Sequence, residues 1–222
     1  GSPWSEDSVR ASRVSEIQSF FSTSSYGNFT VPVIVTASLQ TMDNSSSYYT
    51  TSHGGQDGED ILRDHAKAKA LTAGYDASGY EFVSIVINHN LYSWAGLAQL
   101  GSKHNWIDGY VSGTELDQWT SVYTHELGHN LGLYHANAWN PVSSTIPDDS
   151  SGSHVNYGHD FDAMGDKTWS YTYDQLHYNA SFKNALDWLP DSAITTLNST
   201  SSNITLDLHV MDQTYTAGRV YA

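Results

Sequence analysis

Cysteine is absent from this chain of 222 residues. No disulfide framework, thiolate metal site or cysteine nucleophile is therefore available, and histidine and carboxylate remain as the candidate metal ligands. Basic residues are also scarce: nine Lys and Arg stand against 24 Asp and Glu, for a formal net charge of −15. A phosphate backbone would be repelled by such a surface, and no basic stripe is present to release its counterions, which excludes nucleic acid as a partner. The acidic excess forms no long run and reads as a solubilising surface. Long apolar stretches are missing too. Those at 31–39 and 82–87 fall far short of the roughly 20 residues that a membrane-spanning helix needs, so no membrane insertion is expected. A chain of this size buries enough apolar surface to fold without covalent staples. The opening Gly1-Ser2-Pro3 has the look of a cloning scar, and a targeting or pro-segment trimmed from the front is the expectation.

What the chain does have is a readable order of elements. Apolar positions Val9, Val14, Ile17, Phe20 and Phe21 predict a short helix within 4–21. The β-branched run at 30–39 predicts a strand, with Pro32 near its start. A helix over about 59–73, stopped by Gly74, and a second strand over 80–88 follow, giving a βαβ-like unit and a mixed sheet. Gly96 to Gly101 reads as an edge strand. Between 113 and 131, Leu116, Trp119, Tyr123 and Leu127 recur at helical spacing behind a capping-box-like Thr114 and Asp117. Residues 136–160 read as loop, 182–189 as a last helix stopped by Pro190, and 203–208 as the start of a small β element.

The chemistry lies in residues 125–135, His-Glu-Leu-Gly-His-Asn-Leu-Gly-Leu-Tyr-His. His125 and His129 are one helical turn apart and project from one face, as two ligands of one ion must. A third ligand has to arrive from another direction. Gly132 allows a left-handed backbone that ends the helix and brings His135 back to the ion. Three neutral imidazoles on Zn2+ leave one position for water, the pattern of a catalytic rather than a structural site. Glu126, beside the ligands, is the expected catalytic base that activates this water for attack on a peptide bond.

This stretch resembles the zinc signature of the metzincin metallopeptidases, and Asp162-Ala163-Met164-Gly165 resembles their Met-turn. The resemblance implies that Met164 forms an apolar floor beneath the metal. It also implies an α+β fold: an upper subdomain with a twisted mixed sheet and two long helices, an active-site cleft, and a smaller irregular lower subdomain. On that basis the catalytic domain is expected over 4–190, upper part about 4–132 and lower part about 133–190, with 191–222 a C-terminal β-like extension. The run from Tyr157 to Gly165, with the later Trp188-Leu189-Pro190, is similar to the gametolysin group, whose members are secreted peptidases, the founding ones acting on cell-wall or matrix glycoproteins. The implied activity is that of a secreted, extracellular zinc endopeptidase acting on protein or glycoprotein substrates, with a monomer expected.

The family's edge strand pairs with extended substrate, which points to Gly96, Ala98 and Leu100. Residues after the Met-turn usually shape the pocket for the side chain following the cut, here Trp169, Tyr171 and Tyr173. The astacin-like tyrosine two residues beyond the Met-turn methionine is replaced by Asp166, and the latency cysteine of matrix metallopeptidases has no counterpart. Eight histidines lie outside the motif, with His154 and His159 the best rival ligands. Asp148, Asp149, Asp160 and Asp162 are candidate Ca2+ ligands without calcium-loop spacing. The alternative function is an inactive cell-surface or glycan-binding module on a peptidase fold, which the aromatic content of 13% keeps open and the retained Glu126 opposes.

Overall fold

A computed structural model describes residues 13–33, 35–36, 39–108, 117–142, 152–166, 176–196, 205–209 and 220–221. In chain order the elements are α1 (Val14–Ser24), α2 (Ser46–Tyr49), α3 (Gly58–Thr72), β1 (Val83–Ile87), β2 (Gly96–Ala98), β3 (His104–Asp108) and α4 (Asp117–Asn130). They continue with β4 (Ala138–Asn140), β5 (Ser153–Val155), α5 (Ala180–Ala185), β6 (Leu208–His209) and β7 (Val220–Tyr221). The chain divides into two compact units, Gly1–Glu16 with Val33–Tyr134, and Ile17–Pro32 with His135–Ala222. Among the described residues no helix is long and apolar enough to cross a membrane.

The first unit is built on a three-stranded mixed sheet of order β1-β3-β2, with β1 parallel and β2 antiparallel to β3. The expected α3 is present. Glu59 and Asp60 in its first turn and Lys69 in its last complement the helix dipole, and Gly74 at φ +93 follows its end. Ile61 and Leu62 on α3 join Tyr49, Ile85, Ile87 and Trp106 in one buried cluster. The indole Nε1–H of Trp106 donates to the Glu59 carbonyl at 2.8 Å, so this buried aromatic ring has its polar atom satisfied. Helix α4 rests on β2 and β3 and buries the predicted stripe Trp119, Tyr123 and Leu127. Asn130 locks its last turn to the sheet. Its amide donates to the His104 carbonyl at 3.0 Å, and its Oδ1 accepts from the Asn105 amide at 2.7 Å.

In the second unit an aromatic cluster forms the centre. The Phe20 and Tyr178 rings meet edge to face at 5.3 Å, and Phe29 stacks on Trp188 at 5.5 Å. Such pairs add to the area they bury. The Asn179 side chain caps α5 by accepting the Phe182 N–H at 3.0 Å. Strands β6 and β7 form a short parallel pair.

Four local expectations change. No ladder is assigned at the described residues of 30–39, where Pro32 lacks a donor; positions 34, 37 and 38 lie outside the described residues. The helix predicted over 182–189 is α5, which starts before Phe182 at its Asn179 cap, ends at Ala185 and is followed by Asp187 at φ +58, short of Pro190. The 136–160 stretch contains the β4-β5 ladder, in which Trp139 faces His154. Strand β3 was not read from the sequence at all. Of the predicted start of α4, Thr114 and Leu116 lie outside the described residues.

Candidate active site

Helix α4 ends at Asn130, and the chain turns there by a Schellman arrangement. The Leu133 N–H donates to the Gly128 carbonyl and the Gly132 N–H to the His129 carbonyl, both at 2.9 Å. Gly132 sits at φ +96, a conformation that side-chain-bearing residues rarely adopt. The His129 carbonyl also accepts the Gly101 N–H at 2.8 Å, which ties the segment after β2 to the helix terminus. Gly132→Ala is expected to cost about 1–2 kcal/mol of stability, read from urea unfolding, and to weaken metal retention by disturbing the approach to His135.

Through this turn His125, His129 and His135 each present one ring nitrogen, and the three nitrogens lie within 4.8 Å of one another. The His125 and His129 rings are nearly perpendicular, 87° apart, with centroids 4.8 Å apart. His129 Nδ1 lies 2.7 Å from the Leu133 carbonyl oxygen. A carbonyl can only accept, so Nδ1 carries the proton and Nε2 is left with its lone pair. His135 Nδ1 is held in the same way by Asn156 Oδ1 at 3.2 Å, and its ring stacks on Tyr157 at 3.5 Å. Burial lowers the His129 imidazole below its ordinary value, against a smaller opposing effect of the Leu133 bond, and so favours the neutral form that binds metal. Three oriented imidazoles with no thiolate are a donor set suited to a divalent ion such as zinc.

Glu126 is 4% exposed, and burial pushes its carboxyl up to about 8. A nearby divalent cation would favour the ionised form and pull it back. The carboxylate lies against Gly96 of β2: a Cβ built at Gly96 would stand 2.5 Å from Glu126 Oε1 and 2.7 Å from Val122 Cγ1. Strand β2 and Glu126 are thus fitted to each other at a glycine.

The family model described as Metallo-peptidase family M12B Reprolysin-like matches residues 12–136, more than half of the chain. The chain belongs to this family. No curated protein and no solved structure gives a significant match. Reprolysin-like peptidases are metzincin-type zinc enzymes, and the mixed α+β architecture is consistent with a metzincin fold. The match runs from before α1 to one residue past His135, so it takes in β2, Glu126 and all three histidines of this reprolysin-like chain.

The remaining sequence candidates are placed as follows. Met164 is fully buried, and its carbonyl accepts the N–H of Ala136, the residue after His135, at 2.8 Å. Gly96 and Ala98 lie in β2 at the edge of the three described strands, and Leu100 lies in the following turn, 42% exposed. Trp169, Tyr171 and Tyr173 lie outside the described residues. His154 and His159 are not part of the histidine group: His154 meets Trp139 edge to face at 5.0 Å, and the His159 N–H donates to the Ala136 carbonyl at 3.0 Å. Among the calcium candidates, Asp148 and Asp149 lie outside the described residues, Asp160 is exposed, and the Asp162 oxygens accept backbone N–H groups. Asp166 is exposed, and its N–H donates to the Tyr157 carbonyl at 2.7 Å.

Sequence reasoning missed Asn105 and Asn130, which brace α4, and Asn156 and Tyr157, which orient His135. Asn130 sits inside the histidine motif, and a short amide in the last turn of a core-facing helix is a signal for such bracing. Nothing local marks Asn156, because its partner is 21 positions away.

Proposed function

We propose that this chain is a secreted zinc-dependent endopeptidase of gametolysin-like character, cutting extracellular, cell-surface or cell-wall proteins and glycoproteins as a monomer. The observation that carries the reading is the buried Glu126 carboxylate held against Gly96, on the same helix as two of the three clustered histidines. A binding module has no use for a buried carboxylate in that position, since burying it is costly. The gametolysin character rests on the Tyr157 to Gly165 run and on the later segment ending in Trp188-Leu189-Pro190. Secretion fits the acidic, solubilising composition.

His125, His129 and His135 would hold the ion. When bound, zinc supplies Lewis acidity to the scissile carbonyl and to a water molecule. Glu126 takes a proton from the attacking water and returns it to the leaving amine, so no covalent intermediate with the protein forms. Strand β2, at the edge of the three described strands, pairs with an extended substrate, with main-chain groups supplying affinity. Met164 backs His135 as the Met-turn methionine in this reading, which its burial and the bond from the Ala136 N–H to its carbonyl support. Of the calcium candidates, Asp160 and Asp162 belong to no group of potential metal ligands found among the described residues.

Digestion of casein by the purified chain tests the reading. Cleavage at internal bonds, loss of nearly all rate with 1,10-phenanthroline, and recovery on adding zinc at one ion per chain are the expected results. A chain that binds one zinc yet cuts no protein, and instead retains soluble glycans, would replace this reading with the binding-module one.

A further inference from the structure

The Met-turn is held by one carboxylate. Asp162 is fully buried, with its Oδ1 accepting the Met164 N–H and its Oδ2 accepting the Asn179 N–H, each at 2.7 Å. The backbone reinforces the same link: Asp162 forms a parallel bridge with His177, and the Ala163 N–H donates to the His177 carbonyl at 3.0 Å. From Met164 the connection runs onward, because its carbonyl accepts the Ala136 N–H at 2.8 Å and the Ala136 carbonyl accepts the His159 N–H at 3.0 Å. Ala136 directly follows His135. Only two hydrogen bonds therefore separate the Asp162 carboxylate from the backbone that carries the third histidine.

The packing of this turn leaves little freedom. Gly165 donates its N–H to the Asp162 carbonyl at 2.9 Å, and a Cβ at Gly165 would stand 1.9 Å from the His159 carbonyl oxygen. A carboxyl group is an expensive choice for a fully buried position, and burial pushes the Asp162 carboxyl up against its N–H donors. Two acceptors aimed at two different segments are what the site obtains from it. An apolar residue would leave the buried Met164 N–H and the partly buried Asn179 N–H without these acceptors.

We propose that Asp162 is a positioning residue of the metal centre, fixing Met164 and, through the bond between Met164 and Ala136, the backbone of His135. This inference rests on the zinc-peptidase reading. Asp162 lies outside the histidine group, so its effect on zinc is transmitted, in the manner of outer-shell partners whose loss costs about 10–100-fold in metal affinity or activity.

Asp162→Asn separates a positioning from a merely structural role. The amide keeps the shape, retains one acceptor, and sets its NH2 against the other N–H. Wild type is measured first for zinc content; absence of zinc there would sink the peptidase reading itself rather than this inference. With wild type loaded, the variant is expected to fold in its zinc-free form by circular dichroism and to bind zinc about 10–100-fold more weakly in chelator competition. Its Co2+-substituted form should show an altered visible spectrum, and kcat should fall with KM little changed. A variant with wild-type zinc affinity and an unchanged Co2+ spectrum, showing only a lower melting temperature, overturns the proposal. Should Asp162→Asn not fold, Asp162→Ser, whose hydroxyl can still accept the Met164 N–H while the Asn179 link is cut, is carried through the same measurements. Failure of both zinc-free variants to fold also counts against it, because positioning requires a folded protein with a displaced ligand.

Discussion

Glu126→Gln is expected to lower kcat/KM for a peptide substrate by about 10²–10⁴-fold while the protein keeps one zinc per chain. The amide matches the carboxylate in shape and fits the same contact with Gly96, so the histidines have no reason to move. It cannot accept a proton, which removes transfer from water and to the leaving amine together. Stability should not fall, because a neutral amide costs less to bury than a carboxylate at a site only 4% exposed. The measurements are steady-state kinetics on a quenched fluorogenic peptide, zinc by elemental analysis, and the melting temperature of the zinc-free forms. Retention of a tenth of the wild-type kcat/KM with zinc in place would remove Glu126 from the role of base.

The parts of the site fixed by spacing within one segment were legible in the sequence. His125 and His129 had to share a helix face, Gly132 had to leave the helix, and the structure puts Gly132 at φ +96 with all three histidine nitrogens within 4.8 Å. The stripe of Trp119, Tyr123 and Leu127 was legible for the same reason, since a 3.6-residue period survives in any sequence that buries one helix face. Strand β3 carries no such signal. Its Asn105, Trp106, Ile107 and Asp108 are all buried, so neither alternation nor a β-branched run appears. Asn105 is tolerated there because Asn130, 25 positions later, accepts its amide. The β4-β5 ladder was hidden similarly: Gly152 is needed because Trp139 lies where its Cβ would go, 2.4 Å away. In the sequence that glycine is indistinguishable from a loop glycine. Long-range partners decided these places, and a single sequence does not print them.

The close approach of β2 to the base leads to the second large effect. Gly96→Ala introduces a Cβ at 2.5 Å from Glu126 Oε1, 2.6 Å from Glu126 Cγ and 2.7 Å from Val122 Cγ1. Relief by moving the strand is blocked, since Gly96 is in register with Ile107, the Asp108 N–H donates to the Ala95 carbonyl at 2.8 Å, and the Gly101 N–H is bound to His129. Val122 is buried on the same helix. The flexible Glu126 side chain is the part that gives way, and a displacement of about 1 Å at a reacting group costs about 10²-fold in rate. Gly96→Ala should therefore lower kcat by that order, keep its zinc, and lose about 1–3 kcal/mol of stability from overpacking. A double-mutant cycle isolates the cause. If the methyl acts by displacing the base, Gly96→Ala should add almost nothing to the rate loss of Glu126→Gln, whereas multiplicative losses would place its effect on substrate binding to the β2 edge instead.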